Sequence, residues 1–585
     1  MATTYDKASL VMIPSGYKDD KLYSIKPTDG SGDFTFSRDG AGASPATRVN
    51  ASGLIEKGRE NLLLYSEQFD NAYWLKTNFN GGTSPSVTAN YGTSPIGTNT
   101  ADRVQFPAQS GSEVSSLQTP ISFAYPLLAG SIYVRTISGT CSNLVLRSGA
   151  TEYVVPSFGT DWVRVETFSQ ANGANEGLSI RNRPSVSGDG SAIDIMVWGA
   201  QLEQGLVATD YIETTTAPVS AGLLGDMPRL DYHNPDSPTP NSCPNLLLEP
   251  SRTNVFTDSE YFNGADWILQ DATITNNAAI SPEGVQNASL YTSASELYDF
   301  VRQNISFVSG TTYTYSVFAK AGTSALITLG YNSAAFGSGQ SATFDLSDGT
   351  YTLGSANPIV TMEDYGNNWW RCSITATATA TMSRTTGFSS SASGAVTTMY
   401  IYGAQLESGS YPTSYIPTYG SAAQRSSDSC SKTGVADLVG SQNGTIFLDF
   451  VYDNNFANTR IFSLSGATWN VAGSIRLEKS GTKFKWNWTL ANAGAGAVDS
   501  TTDMVVGTRY KMAVSYTATS ASLFINGVKE DTAPVSTPSA MTGIFLNELG
   551  GGYSDVYEFQ RNIFNQVVMF QSTLTDAEAI ALTTL

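Results

Sequence analysis

The chain has 585 residues, of which 41% are hydrophobic and only 14% charged, and its 51 acidic against 32 basic side chains give a net charge of −19. That length exceeds what one hydrophobic core organises and predicts three or four domains. The negative field argues against nucleic-acid and membrane-surface binding, and no stretch approaches the ~20 apolar residues of a membrane span. Ser, Thr, Asn and Gly replace the missing charge, with 53 Gly and 29 Tyr. Thr and Tyr favour strands and Gly and Asn favour tight turns, so the expected class is all-β. Cys141, Cys243, Cys372 and Cys430 are isolated from one another and His233 is the single histidine, which leaves neither disulfide-framework nor zinc spacing. Four isolated thiols fit folding in a reducing cytoplasm.

In chain order, residues 1–60 read as an extended segment. Its apolar run Leu10-Val11-Met12-Ile13 stops at Pro14, shorter than the core of an export signal, so the chain is expected to leave its cell by another route, of which lysis is one. A β-sandwich module is expected over 61–216, followed by a linker over 217–244 with five prolines between Asp226 and Pro244. A second module spans 245–418 and a Ser/Ala-rich linker 419–440. The modules read as copies. Asn61-Leu62-Leu63-Leu64 returns as Asn245-Leu246-Leu247-Leu248, and Ser66-Glu67-Gln68-Phe69 through Trp74 returns as Ser259-Glu260-Tyr261-Phe262 through Trp267. Asp161-Trp162-Val163-Arg164 matches Asn368-Trp369-Trp370-Arg371. Gly199-Ala200-Gln201-Leu202-Glu203 with Tyr211-Ile212 matches Gly403-Ala404-Gln405-Leu406-Glu407 with Tyr415-Ile416, 204 residues on. Alternation in Thr312 to Ala319 predicts half-buried strands within these modules.

Residues 441–585 form a different unit. Phe484, Trp486 and Trp488 share one face of a strand, Leu523-Phe524-Ile525 leads into an Asn526-Gly527 hairpin turn, and Thr575-Asp576-Ala577-Glu578 has capping-box form ahead of a short helix. These strings, with Val567-Val568-Met569-Phe570, resemble a concanavalin-A-like, laminin-G-like jelly roll. The upstream modules resemble carbohydrate-binding-module-like sandwiches of phage structural proteins. Met12 to Lys18, Phe34 to Arg38, Ala46 to Asn50, and Pro228 through Cys243-Pro244-Asn245 to Asn254 resemble segments of fibre-type proteins from crAss-like and other tailed phages. The fold expected is therefore all-β, tandem jelly-roll sandwiches behind an extended N-terminal anchoring segment.

The chemistry expected is binding and not catalysis. Nucleophilic triads need a base, and His233 sits in the Pro-rich linker as a solvated side chain; neither a G-x-S-x-G elbow nor a phosphate loop occurs. Glycanases need two opposed carboxylates, and Glu548 with Asp555-Val556-Tyr557-Glu558 does not match the paired-acid strands of the glycanase branch. The laminin-G resemblance implies a structural calcium, with Asp453, Asp503 and Asp555 as loop ligands, although Asp favours turns in any case. Sugar binding would use the aromatic faces of Trp486, Trp488, Tyr553 and Tyr557, of which the two tryptophans read equally as a core strand. The resemblance implies a homotrimeric virion protein, made in the host cytoplasm, that contacts capsid or tail through its N-terminal region and host or environmental glycans outward. A secreted polysaccharide-binding adhesin is the alternative, and a tailspike depolymerase a third reading.

Overall fold

The computed structural model describes residues 4–40, 44–120, 126–149, 151–170, 177–234, 237, 239–294, 299–390, 396–452, 460–466, 473–490, 493–538, 541–546 and 561–585. It is all-β: antiparallel sheets in three sandwiches, with short helices at Pro184–Ser187, Ser333–Phe336 and Asp576–Thr583 among the described residues. The capping box holds as expected, Thr575 and Glu578 each bonding the other's backbone amide. Asn526 and Gly527 take φ of 49° and 82°, the left-handed pair that a two-residue hairpin demands.

The sandwich at the C-terminal end is assembled from distant stretches of sequence. In one sheet the strand order runs Arg229–Asp231, Asn245–Leu248, Asn562–Phe570, Gly444–Tyr452, Thr508–Tyr516, Ser520–Ile525 and Val528–Pro534. Leu10–Met12 joins it on the same edge of Asn562–Phe570 as Asn245–Leu248, with Leu10 opposite Met569 and Leu246 opposite Phe564. In the facing sheet, Phe34–Ser37 pairs with Ser429–Thr433, which pairs with Gly543–Leu546. Leu10, Met12, Phe34, Phe36, Leu246 and Leu248 consequently share one core with Phe450, Trp486, Trp488, Met512 and Phe564.

This corrects three expectations. Residues 1–60 are not a free extended segment but supply strands to both sheets of this base. The segments 217–244 and 419–440 are not plain linkers, since Arg229–Asp231 and Ser429–Thr433 lie within the sheets. Asn245–Leu248 is a strand of the base and not the start of the second module.

Each inserted module is a two-sheet sandwich. In the first, Leu75–Phe79, Val114–Gln118, Leu178–Asn182, Leu144–Ser148 and Thr151–Val154 face Ser86–Gly92, Ala101–Phe106, Ile193–Gln204, Leu127–Thr136 and Val163–Gln170, each set in spatial order. The second repeats the order with six strands per sheet, Ile268–Gln270, Phe300–Phe307, Met382–Ser390, Leu326–Gly330, Ser341–Asp345 and Thr350–Leu353 forming one of them.

Hydrogen bonds show which residues are true counterparts. Asn61 donates to the carbonyls of Ala200 (3.1 Å) and Ile212 (2.8 Å) and accepts from the Leu202 amide. Asn254, not Asn245, repeats this toward Ala404 (3.1 Å), Ile416 (2.8 Å) and Leu406. The Gly-Ala-Gln-Leu-Glu motif is a bulge with a clasp. Gly199 and Gly403 sit at φ of 60° and 59°, where the facing strands skip register, and a Cβ on either would press on an aromatic ring. Gln201 and Glu203 then hold Ile212 and Thr209, as Gln405 and Glu407 hold Ile416 and Thr413.

Buried ions lock modules to base. Glu249 pairs with Arg229 (2.6 Å) and Arg425 (2.8 Å), and Asp428 pairs with Arg229 and with Arg38 (2.9 Å), all five side chains having no exposed surface. Such charges are tolerated only when mutually paired.

Candidate functional site

Side chains alternate across a strand. In the first module Leu117, Leu144, Leu146, Leu178 and Ile180 therefore point into the core, while Ser116, Gln118, Arg147, Ser179 and Arg181 point outward. Register brings the outward set together: Arg181 lies opposite Ser116, Arg147 opposite both Ser179 and Glu152. The result is a groove of ≈ 660 Å³ whose lining includes Phe79, Gln118, Arg147, Glu152, Arg181 and Arg183.

Arg181 forms the floor. Its side chain is 8% exposed, and it donates to Glu152 at 2.9 Å, to Ser116 at 3.3 Å and to Gln118 at 3.4 Å. The guanidinium sits 5.9 Å from the centre of the Phe79 ring. Arg183, at the rim, reaches the other oxygen of Glu152 at 2.5 Å. Burial, then repulsion from Arg147, lowers the Arg181 pKa to about 10; Glu152 offsets only part of this, and Arg183 adds to it. Among the described residues that line the groove, three cations thus stand against one carboxylate, which Arg181 and Arg183 share.

A second cavity of ≈ 330 Å³ lies where strand Ile55–Asn61 passes between the modules. Lys57 reaches Glu260 (3.0 Å) and Glu283 (3.1 Å), and Arg59 reaches Glu283 (2.9 Å). The Tyr402 hydroxyl lies 3.1 Å from one carboxylate and 2.9 Å from the other. Burial raises the Glu260 pKa against the pull of Lys57; Lys57 and Arg59 lower that of Glu283 in spite of its burial. The two carboxylates are 0% and 1% exposed, so this cluster faces protein and not solvent.

The residues expected from sequence lie elsewhere. Trp486 and Trp488 are both 0% exposed in the base core, so neither ring can stack on a sugar. Asp503 pairs with Lys483 at 2.9 Å and accepts from the Thr482 hydroxyl at 2.7 Å. Asp453, Asp555, Tyr553 and Tyr557 fall outside the described residues, among which no three His, Cys, Asp or Glu side chains gather to hold a metal. His233 is not solvated: it is 8% exposed, stacked at 4.4 Å on Tyr365, with Nε2 3.8 Å from Glu363. The arginine groove was missed, although Arg181-Asn182-Arg183 places two cations on one face of a strand in an acidic chain.

No protein-family model matches the chain, and no curated protein does. Among solved structures, the CBM40 of Ruminococcus gnavus IT-sialidase bound to α2,3-sialyllactose aligns at 16% identity over 25% of this chain and 86% of that one, with a TM-score of 0.22. Domain 4 of AbnA, a GH43 extracellular arabinanase from Geobacillus stearothermophilus in complex with arabinotriose, aligns at 16% identity over 27% and 73%, with a TM-score of 0.22. The heptameric SAP-like pentraxin of Limulus polyphemus aligns at 14% over 24% and 68%, with a TM-score of 0.20. Values this low carry nothing about ligand, which rests on the chain's own residues.

Proposed function

We propose that the chain is a non-catalytic glycan-binding protein of a bacteriophage virion surface. The groove of the first module carries the glycan reading. It combines an aromatic ring at Phe79, the amides of Asn80 and Gln118, and guanidinium donors, in a cavity of ≈ 660 Å³. That size lies within the roughly 300–1,000 Å³ of small-molecule sites, and few polar groups on a largely preformed surface fix a ligand's orientation. A glycosidase would need two carboxylates about 5–9.5 Å apart across the bond. Glu152 is the one carboxylate among the described groove residues, and two arginines hold it. The virion setting is supported by the resemblance of the connecting strings, and contact with other virion proteins would then fall to the surface of the base. In a homotrimer, several weak sites per particle multiply into avidity.

The test is a glycan array probed with the full chain, alongside incubation with host capsular polysaccharide. Bound glycans with no shortening of the polysaccharide are expected; an array without signal would overturn the reading. Hydrolysis is the second reading, favoured by one observation: the Glu260 and Glu283 pKa values are pushed in opposite directions, as an acid–base pair requires. Their sealed position argues against it. Polysaccharide shortening that disappears in Glu260→Gln would reverse the assignment.

A further inference from the structure

The second module is a natural control for the groove. Its sheet uses the same strand order, so the face that carries arginines in one copy can be compared with the same face in the other. Where Arg147 stands opposite Glu152 in the first copy, the matching strand pair of the second places Thr328 opposite Thr343, hydroxyl to hydroxyl at 2.8 Å. Nearby, Ser306 and Ser383 pair in the same way at 2.8 Å, and Arg302 is occupied by Gln270 at 2.6 Å. At the strand pair matching Arg147 and Glu152 the scaffold therefore closes with two hydroxyls, and the arginine nearby, Arg302, is held by a neutral amide. The arginines of the first copy are not a requirement of the fold.

Their charge is also incompletely answered. Arg181 and Arg183 converge on Glu152, while Arg147 has no carboxylate partner among the described residues. Among the described residues of the groove, a surplus of two positive charges stands in a chain whose net charge is −19. Burial of Arg181 beside Arg147 disfavours its own cation, a penalty that an incoming anion would relieve. A guanidinium offers paired N–H donors in one plane, the geometry that grips a carboxylate with two parallel hydrogen bonds.

Resting on the glycan-binding reading, we infer that the groove of the first module selects sugars bearing a carboxylate, held by Arg147 with Arg181 and Arg183 behind it. Phe79, an exposed ring of the lining, offers an aromatic contact, and Gln118 and Asn80 the hydroxyl contacts.

The experiment uses the full chain and matched probes differing only in charge: sialylated against asialo N-acetyllactosamine, and oligogalacturonate against its carboxyl-reduced form. Binding confined to the acidic member of a pair is expected. Arg147→Ala should weaken it about 10- to 100-fold, the loss of one charge-assisted contact. Thr328→Ala in the second module should leave it unchanged. Because Arg147 has no ion-pair partner to strand among the described residues, the melting temperature of Arg147→Ala should match that of the parent; Arg147→Lys, which keeps the charge and loses the fork, serves if it does not. Equal binding of neutral and acidic partners would overturn the carboxylate assignment while leaving glycan binding intact. Silence across every probe would overturn both. Equal affinity for oligoglutamate would assign the groove to an acidic protein and overturn it as well.

Discussion

Glu249 accepts from Arg229, Arg425, the Ser414 amide (2.8 Å) and the Ser414 hydroxyl (2.6 Å), so its removal strands two buried cations at once. Glu249→Ala should destabilise the chain by about 3–5 kcal/mol, the usual penalty of an unpaired buried charge. Chemical denaturation measures this directly, and a loss below about 1 kcal/mol would mean the hub is solvated. Arg425 and Arg229 hold the Glu249 pKa well below the ordinary carboxylate range although burial pushes the other way. His233 at 3.8 Å, with Arg561 and Arg371 nearby, brings Glu363 to about 2, again against burial. A depressed folded-state pKa contributes stability that is fully present above the unfolded value, about 4.5, and lost as pH falls toward the folded one. The melting temperature should therefore hold near pH 6 and fall between about pH 4.5 and 2, with Glu363→Gln flattening part of that fall. His233 had been read as a solvated linker residue. Composition places His beside prolines but cannot show the Tyr365 ring that covers it.

At the level of elements, the clasp around each module's last strand is a duplicated device, which makes it a paired experiment. Asn61→Ala and Asn254→Ala each remove two donated bonds and two accepted bonds. Each should cost about 1–3 kcal/mol, because the carbonyls left behind are buried. Hydrogen exchange should show the loss confined to the module altered; loss spread evenly over both would refute their equivalence. Strands, the Asn526-Gly527 turn, the helix cap and the duplication were legible because each is encoded within a few residues. The partner of Asn61 was not, because Asn245-Leu246-Leu247-Leu248 is a string match whose Leu-rich strand suits any core. The role that distinguishes Asn254, bonding across to Ala404 and Ile416, is a tertiary one. The groove was illegible for a similar reason. Arg147 meets Arg181 only through strand register, which a period of two residues leaves open.

On the scale of the molecule, the base is one core drawn from three regions of sequence. Leu10, Met12, Phe34, Phe36, Leu246 and Leu248 are all essentially buried in it. Each contributes about 1.5–3 kcal/mol on burial, so together roughly 9–18 kcal/mol, as much as a whole domain's usual net stability of about 5–15 kcal/mol. Residues 441–585 expressed alone should accordingly fail to fold, showing no near-ultraviolet dichroism and running as aggregate on gel filtration. A folded monomer from that fragment would contradict the shared core. Sequence reading treated this stretch as self-sufficient because nothing local in Leu10-Val11-Met12 names Val567, Val568 and Met569 as its partners.

That long-range pairing also sets a clock. Ribosomes add roughly 5–20 residues per second, so strand Leu10–Met12 waits on the order of 30 to 110 s before Asn562–Phe570 exists to receive it. The two modules, whose sheets each close within their own stretch, can fold during that interval, while the apolar run at Leu10 to Ile13 still lacks its partner strand. The base is thus the last part to form although some of its strands are translated early, and its yield should depend more on holding chaperones and slow growth than that of either module.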